Sequence, residues 1–262
     1  MANLDVPPVN GGELALAETF LRESAKIADL GALSALMDDL ASELGFRHFA
    51  LIHHDDARNP SPGLVHLQNY PAYYADRYVA DCLHLEDPVL HACLTTHRCF
   101  VWSQLGEMIS LTDRHRKFLA RGAAEGLYDG ITVPACPVGG RIGSCTLSGP
   151  RRSVDPARRV GAVQIIGPFA FHAAHRIVTN GALRPVRVVR LHPRQRECVV
   201  LAGQGKSNGV IAQILGLRPS TVKSYLEDAR RRYDVSSKAQ LIVAATLDGE
   251  INLSEIAPRQ YR

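Results

Sequence analysis

Residues 205–226, GKSNGVIAQILGLRPSTVKSYL, contain two short amphipathic helical patterns joined by a tight turn. In the first pattern Ile211 and Leu215 lie four residues apart, which places both side chains on one face of a helix. Ser207 is a residue type that caps a helix start, and Gly216 is one that ends a helix in the left-handed conformation. Two helices joined in this way predict a helix-turn-helix, whose second helix enters the major groove of DNA.

The second helical pattern has an apolar and a polar side. It begins near Pro219, which fits a first helical turn, and Val222, Leu226 and Ala229 share its inner face. An ordinary helical hairpin is the alternative interpretation of this stretch. If it is a helix-turn-helix, the DNA contacts are expected from polar and basic side chains on and around the outer face: Lys206, Thr221, Lys223, Ser224, Glu227, Arg230 and Arg231.

The distribution of charge favours the DNA-binding interpretation. From Arg187 to the end, the chain carries 13 Lys and Arg against 7 Asp and Glu, whereas the preceding residues carry 17 against 19. The chain therefore joins a basic module to a mildly acidic one. Clustered cations favour binding to phosphates through counterion release, although such a cluster also fits a solvated surface.

The basic module resembles a known DNA-binding domain. The run LHPRQRECVVLAGQGKSNGVIAQILGLRPSTVKSYLEDARRRYDVSSKAQLIVAA, residues 191–245, is similar over its whole length to the DNA-binding domain of LuxR-type transcription regulators. It departs from the family pattern at His192, where Ser or Thr usually caps the first helix, and at Gln195, where the quorum-sensing branch usually has Glu. Arg218 stands where Ser or Thr usually opens the recognition helix. These departures are expected to tune stability or operator choice and to leave the fold unchanged.

Length and composition indicate a protein of two domains. With 262 residues, 46% of them hydrophobic and 21% charged, the chain can form two separate cores. No apolar run approaches the roughly 18 residues that span a membrane, and the start of the chain lacks a signal-peptide pattern. We therefore expect a cytoplasmic protein with no membrane partner. The cysteines and histidines form no CxxC or HExxH pattern, so we expect reduced thiols, no metal site and no cofactor.

Helical and strand patterns alternate before the basic module. We expect two helices within 13–44 broken near Gly31, strands at 46–53 and 64–68, two or three helical stretches between Pro71 and Gly126, a hairpin over 130–149 turning at Gly139–Gly140, and a helix over 155–178 kinked at Gly167–Pro168. The predicted fold class is α+β, with an N-terminal α/β/α sandwich around an antiparallel sheet and a C-terminal all-α helix-turn-helix domain. The predicted limits are 13–178 for the first domain, 179–189 for the linker and 190–255 for the second domain.

Residues 69–102, NYPAYYADRYVADCLHLEDPVLHACLTTHRCFVW, place four tyrosines and a tryptophan around one Asp-Pro pair. Tyr70, Tyr74 and Tyr78 recur every four residues, so on a helix they would form one aromatic face with hydroxyl donors. Asp87 can accept a hydrogen bond from a ligand N–H, and Trp102 can form a flat apolar wall. The stretch therefore suits a pocket for an amphiphilic small molecule. The alternative is a tyrosine stripe in an ordinary core with an aspartate that caps a turn.

This stretch resembles the autoinducer-binding domain of LuxR-type quorum-sensing receptors, and the match continues to Gly130 and Thr146. The family binds N-acyl-homoserine lactones between a sheet and helices. The resemblance implies that Asp87 accepts a hydrogen bond from the ligand amide and that Trp102 packs against the lactone ring. It further implies that Thr146 lines the pocket and that Gly130 has a structural role.

The resemblance also implies ligand contacts for the tyrosines, and one of them is the main departure from the family pattern. By resemblance, Tyr70 and Tyr78 line the acyl chain, and one of them can donate to the acyl carbonyl. At Tyr74 the family usually has Trp, whose indole N–H donates to the lactone carbonyl. A tyrosine hydroxyl also donates, but from a different position and with a smaller ring. Branched, aromatic or otherwise unusual acyl groups therefore become plausible ligands.

These expectations combine into one function. The chain is expected to be a quorum-sensing transcription factor that binds an N-acyl-homoserine lactone-type signal and, as a homodimer, an inverted-repeat operator in double-stranded DNA, with RNA polymerase as a further candidate partner. The alternative is a LuxR-type regulator that responds to a non-lactone metabolite or acts without a ligand. An enzyme with Asp87 as base is disfavoured because no Ser-His, Cys-His or metal constellation accompanies it, so no catalytic residue is assigned.

Overall fold

A computed structural model describes residues 11–54, 63–135, 142–151, 153–181 and 189–257. The chain divides into two compact units, Met1–Leu183 and Arg184–Arg262. Most of the predicted linker and the predicted turn at Gly139–Gly140 lie outside the described residues. Within the described ranges, no helix has the length and apolar character needed to cross a membrane.

The first unit is built on a five-stranded antiparallel sheet. Its strands are β1 His48–His53, β2 His66–Gln68, β3 Phe100–Val101, β4 Gly130–Ala135 and β5 Gly143–Ser148. They lie in the order β2-β1-β5-β4-β3. Pro134 is tolerated in β4 because β3 pairs only with Ile131 and Thr132, which leaves that side of Pro134 without a ladder partner in β3.

Alternation along the strands separates the two faces of the sheet. On β1, Phe49 and Leu51 belong to the main core, whereas Ala50 and Ile52 line a pocket on the opposite face. The other strands show the same period of two, because successive side chains of a strand point to opposite faces. The sheet therefore has one closed face and one face that holds a pocket.

Helices cover both faces of this sheet. The first unit contains α1 Gly11–Ser24, α2 Leu30–Leu44, α3 Ala72–Ala80, α4 Pro88–Cys93, α5 Leu105–Met108, α6 Asp113–Ala124 and α7 Val160–Val178. Residues of α1, α2 and α7 form the main core with the inner strand residues. Residues of α3 and α6 line the pocket on the opposite face.

Two local predictions for these helices concern a break and a kink. The break predicted near Gly31 lies between α1 and α2, where the Asp29 side chain accepts a hydrogen bond from the Ala32 N–H at 2.9 Å and starts α2. The kink predicted at Gly167–Pro168 falls inside α7, which continues as one helix through Pro168. The predicted α+β class with its α/β/α sandwich is confirmed.

The second unit is helical. Its described helices are α8 Pro193–Gly203, α9 Asn208–Leu215, α10 Pro219–Tyr233, α11 Lys238–Leu247 and α12 Leu253–Ile256. Ser207 caps α9 by accepting from the Val210 N–H at 3.4 Å, and Gly216 ends it with φ of 65°. The helix-turn-helix formed by α9 and α10 is therefore bounded by the residues that the sequence indicates. At the start of α8, the Gln195 side chain accepts from the His192 N–H at 3.2 Å, so glutamine supplies this capping contact.

Candidate ligand pocket and DNA-binding face

A pocket lies between the sheet and helices α3 and α6 in the first unit. The structure brings all predicted ligand-binding side chains to its lining: Tyr70, Tyr74, Tyr78, Asp87, Trp102 and Thr146. They come from the segment before α3, from α3 itself, from the start of α4, from the segment after β3 and from β5. The pocket therefore depends on contacts between segments that are distant in sequence.

Asp87 is both a helix cap and a pocket side chain. Its Oδ1 accepts from the backbone N–H of Val89 at 2.8 Å and of Leu90 at 3.4 Å, and Pro88 occupies the first turn of α4. Its Oδ2 accepts from the Tyr78 hydroxyl at 2.8 Å. A carboxylate has about four acceptor positions, so Oδ2 can also accept from a ligand N–H. Capping and ligand recognition are thus compatible at this one residue.

Burial sets the protonation of the polar groups in the pocket. It raises the pKa of Asp87, while the hydrogen bonds from Tyr78, Val89 and Leu90 oppose that rise. Burial also raises the pKa of Tyr74, with the nearby Asp87 adding to the effect. The same two causes raise the pKa of Tyr78. At neutral pH the tyrosines therefore present neutral hydroxyl groups, which can donate hydrogen bonds.

The tyrosines form an aromatic wall, but Tyr70 lies outside the helix that carries the other two. Tyr70 precedes the first residue of α3, and its backbone N–H donates to the Gln68 side chain at 2.5 Å. The ring centroids of Tyr70 and Tyr74 are 6.2 Å apart, and those of Tyr74 and Tyr78 are 6.4 Å apart. The wall is thus continuous although only two of its tyrosines are helical. A Cβ atom on Gly122 of α6 would lie 3.5 Å from the Tyr74 hydroxyl oxygen, so this hydroxyl points towards α6.

A chain of hydrogen bonds holds Trp102 over the sheet. Its indole N–H donates to Thr132 Oγ1 at 2.9 Å, and Thr132 Oγ1 lies 2.9 Å from Thr146 Oγ1. A Cβ atom on Gly130 would lie 3.0 Å from the Trp102 ring, which explains why glycine occupies this position. Thr132 was not singled out from the sequence, although it lies on the same strand face as Gly130.

The pocket has further lining residues that the sequence did not indicate. His54 and Ser144 lie on the sheet side, and His54 Nε2 is 3.0 Å from Ser144 Oγ. Phe118 and Gly122 come from α6, four residues apart on one helix face. Strand alternation relates Ser144 to Thr146, and this is the signal that could have revealed it.

The predicted base-contacting side chains lie on the outer side of α10. Lys223 Nζ and an Arg230 guanidinium nitrogen are each 3.9 Å from Glu227 Oε1, so the glutamate lies between two cations. Arg230 also donates to the Ser236 carbonyl at 2.8 Å, whereas Arg231 pairs with Asp228. The other predicted DNA-contacting side chains differ in exposure: Lys206 and Ser224 are exposed, and Thr221 is half-buried.

A pocket in one unit and a helix-turn-helix in the other define a ligand-responsive DNA-binding protein. Residues 29–177 match the family model of the autoinducer binding domain, and residues 187–232 match that of Sigma-70, region 4. The first match covers more than half of the chain. The chain therefore belongs to the autoinducer-binding-domain family, and with its helix-turn-helix it is a LuxR-type quorum-sensing transcriptional regulator and not an enzyme.

Individual relatives extend over most of the chain. The quorum sensing-dependent transcriptional regulator RpaR of Rhodopseudomonas palustris is 27% identical and covers 88% of this chain and 93% of its own. The transcriptional activator TraR of Agrobacterium vitis is 25% identical, and the match covers 84% of this chain and 95% of TraR. The structure of SdiA in complex with octanoyl-rac-glycerol is 16% identical, covers 91% of this chain and 96% of its own, and has a TM-score of 0.57. That structural likeness supports the fold.

Proposed function

We propose that this regulator binds an N-acyl-homoserine lactone-type signal in the pocket of its first unit and responds by binding DNA as a dimer in the cytoplasm. The observation that carries the proposal is Asp87, a buried carboxylate with remaining acceptor capacity beside an aromatic wall. An acyl lactone combines an amide N–H, which needs such an acceptor, with an apolar chain, which needs such a wall.

The proposed binding mode assigns one contact to each predicted side chain. Asp87 accepts from the amide N–H, Trp102 packs against the lactone ring, and the Tyr74 hydroxyl donates to the lactone carbonyl. Tyr70 and Tyr78 line the acyl chain, and Thr146 completes the pocket floor. The hydrogen bond from Trp102 to Thr132 supports this mode, because it fixes the indole plane before the ligand arrives.

The proposed DNA-binding mode uses α10 as the recognition helix. Lys223 and Glu227 contact base edges, with Ser224 beside them. The remaining candidates, Lys206, Thr221, Arg230 and Arg231, contact phosphates. A dimer then presents two such helices to half-sites about one helical turn apart, which requires an inverted-repeat operator. RNA polymerase is the partner through which a bound dimer would alter transcription.

Ligand binding and DNA binding are connected by stability. A ligand that binds only the folded protein stabilises it by about 2.7 kcal/mol when its concentration is a hundred times Kd. The signal therefore raises the population of the folded first unit and of the dimer, and the dimer occupies the operator. The concentration of signal is in this way converted into occupancy of DNA.

Co-purification and thermal unfolding test the ligand. The full chain is expressed in the presence of cell extracts of its source, and bound small molecules are identified by mass spectrometry. We expect a retained acyl lactone, and added lactones are expected to raise the melting temperature of the purified protein. If no lactone is retained and none raises the melting temperature, the proposal is wrong.

A second candidate signal is an acyl compound without a lactone ring, and Tyr74 favours it. The family usually has Trp at this position, and the Tyr74 hydroxyl points towards α6. The thermal unfolding panel therefore includes an acylglycerol, the ligand class named for the SdiA structure. A rise in melting temperature with the acylglycerol alone would support this second candidate over the lactone.

A further inference from the structure

Two hydroxyl side chains lie along the floor of the pocket, one near Trp102 and one farther along the sheet. Near Trp102 the floor includes Thr146, which lies directly opposite Thr132 of β4. Two residues further along β5, about 7 Å away at the usual rise of a strand, Ser144 points to the same face. Ser144 is buried, lines the pocket and lies opposite Ile52 of β1.

His54 lies at this far end of the floor together with Ser144. The His54 backbone N–H donates to the Ile142 carbonyl at 2.7 Å, which continues the pairing of β1 with β5 beyond Gly143. His54 Nε2 is 3.0 Å from Ser144 Oγ, and both residues line the pocket. His66 of β2, opposite Ile52, lines the same end. The end remote from Trp102 is therefore polar.

The pair formed by His54 and Ser144 is uncharged. Burial, with a contribution from His53, lowers the pKa of His54 to about 4, so its imidazole is neutral at neutral pH. If the imidazole donates to Ser144 Oγ, the serine O–H remains available as a donor. If the serine donates to Nε2, its oxygen retains acceptor positions. With either tautomer, the pair can form a further hydrogen bond to a group inside the pocket.

We propose that His54 and Ser144 recognise a hydroxyl group near the distal end of the acyl chain of the signal. This inference rests on the proposed function, because it assumes that the head of the ligand lies between Asp87 and Trp102. A hydroxyl group can donate and accept, so it matches either arrangement of the pair. A plain hydrocarbon tail would cover the pair without giving a partner to its remaining donor or acceptor, which is unfavourable.

Matched ligands test this inference on the full chain. Octanoyl, β-hydroxyoctanoyl and ω-hydroxyoctanoyl homoserine lactones have the same chain length and differ only in the presence or position of the hydroxyl. Their Kd values are obtained from the concentration dependence of the melting temperature. The ω-hydroxy compound is expected to bind about five- to tenfold more tightly than the other two, the gain from one additional hydrogen bond.

Variants assign the effect to the proposed residues. Ser144→Ala is expected to abolish the preference for the ω-hydroxy compound over the octanoyl compound. His54→Leu, at a less buried side chain, is expected to do the same and provides the answer if Ser144→Ala does not fold. Ser110→Ala, at an exposed serine between α5 and α6, is the matched control and should keep the preference.

The outcomes separate this inference from the proposed function. If the lactones bind but the ω-hydroxy compound has no advantage, or if its advantage survives both His54→Leu and Ser144→Ala, the inference is overturned and the proposed function stands. If no lactone binds, both are overturned. A preference that disappears in these two variants and persists in Ser110→Ala supports both.

Discussion

Replacing Asp87 by Asn and by Ala separates its two roles. In Asp87→Asn the side-chain oxygen can still cap α4 as Oδ1 does in the wild type, accepting from Val89 and Leu90. The new NH₂ group faces the Tyr78 hydroxyl, which can rotate to accept. Only the acceptor for the ligand N–H is lost. In Asp87→Ala the cap and the bond to Tyr78 are lost together.

The two variants are expected to lower the free energy of unfolding by different amounts. Losing the cap costs about 1 kcal/mol, and leaving the Tyr78 hydroxyl without a partner costs about 1–3 kcal/mol. Removing a carboxylate whose pKa is raised by burial offsets part of this loss. We therefore expect Asp87→Ala to lower the free energy of unfolding by about 2 kcal/mol, or roughly 4–8 °C in melting temperature. Asp87→Asn should lose less than about 1 kcal/mol.

For ligand binding, Asp87→Asn is the more informative of the two variants. Placing a ligand N–H against an amide NH₂ removes a charged hydrogen bond, so Kd is expected to rise about a hundredfold. At a ligand concentration of a hundred times the wild-type Kd, the stabilisation of about 2.7 kcal/mol then falls to about 0.4 kcal/mol. The shift in melting temperature on adding lactone should fall from roughly 5–11 °C to about 1 °C.

Differential scanning fluorimetry with and without lactone measures both effects. Asp29→Asn is the matched control, because Asp29 caps α2 and is absent from the pocket lining. It should retain the full ligand shift. A full ligand shift in Asp87→Asn would show that Asp87 is not the acceptor for the amide. Wild-type stability of ligand-free Asp87→Ala would contradict its structural role.

Three further predictions follow from single contacts. Thr132→Val removes the acceptor of the Trp102 indole N–H and should lower the free energy of unfolding in urea by about 1–3 kcal/mol, whereas Thr132→Ser should retain most of it. Folding lowers the pKa of His54 from 6.5 to about 4, so the free energy of unfolding is highest above pH 6.5 and falls by up to about 3 kcal/mol as the pH falls towards 4. His54→Gln should flatten this pH dependence, and an unchanged pH profile in the variant would contradict the assignment to His54. Glu227→Arg should change the preferred base in operator selection, since glutamate accepts from cytosine N4, and an unchanged preference would exclude Glu227 from base contact.

The elements that the sequence predicted well are those determined by local chemistry. Ser207 and Gly216 bound α9 as expected, because a capping hydroxyl and a left-handed glycine act within one turn of the helix. Asp87 caps α4, as the alternative interpretation of the Asp-Pro pair suggested, because Pro88 fits the first turn of a helix. The strands predicted at 46–53 and 64–68 correspond to β1 and β2. The assignment of Asp87 to ligand binding remains a prediction.

The features that the sequence did not reveal depend on contacts between distant segments. Thr132 gains its role only because β4 pairs with β5 in a register that places it opposite Thr146 and beneath Trp102. His54 and Ser144 are 90 residues apart, and no local pattern relates them. Tyr70 was expected on a helix with Tyr74, but α3 starts at Ala72, because Pro71 disfavours the helical conformation of the residue before it. In each case the deciding information is the strand register or the end of an element.

The hydrogen bonds of the pocket also explain how a small ligand can influence a whole unit. The Tyr78–Asp87 bond connects α3 to the start of α4, and the Trp102–Thr132 bond connects the segment after β3 to the sheet. These contacts join separate segments, so each must be formed against the entropy of closing the loop between them. In the proposed binding mode, a ligand held between Asp87 and Trp102 adds a bridge between the same segments. Its binding free energy would then stabilise the packing of helices on the sheet, which is the property that a stability-driven switch requires.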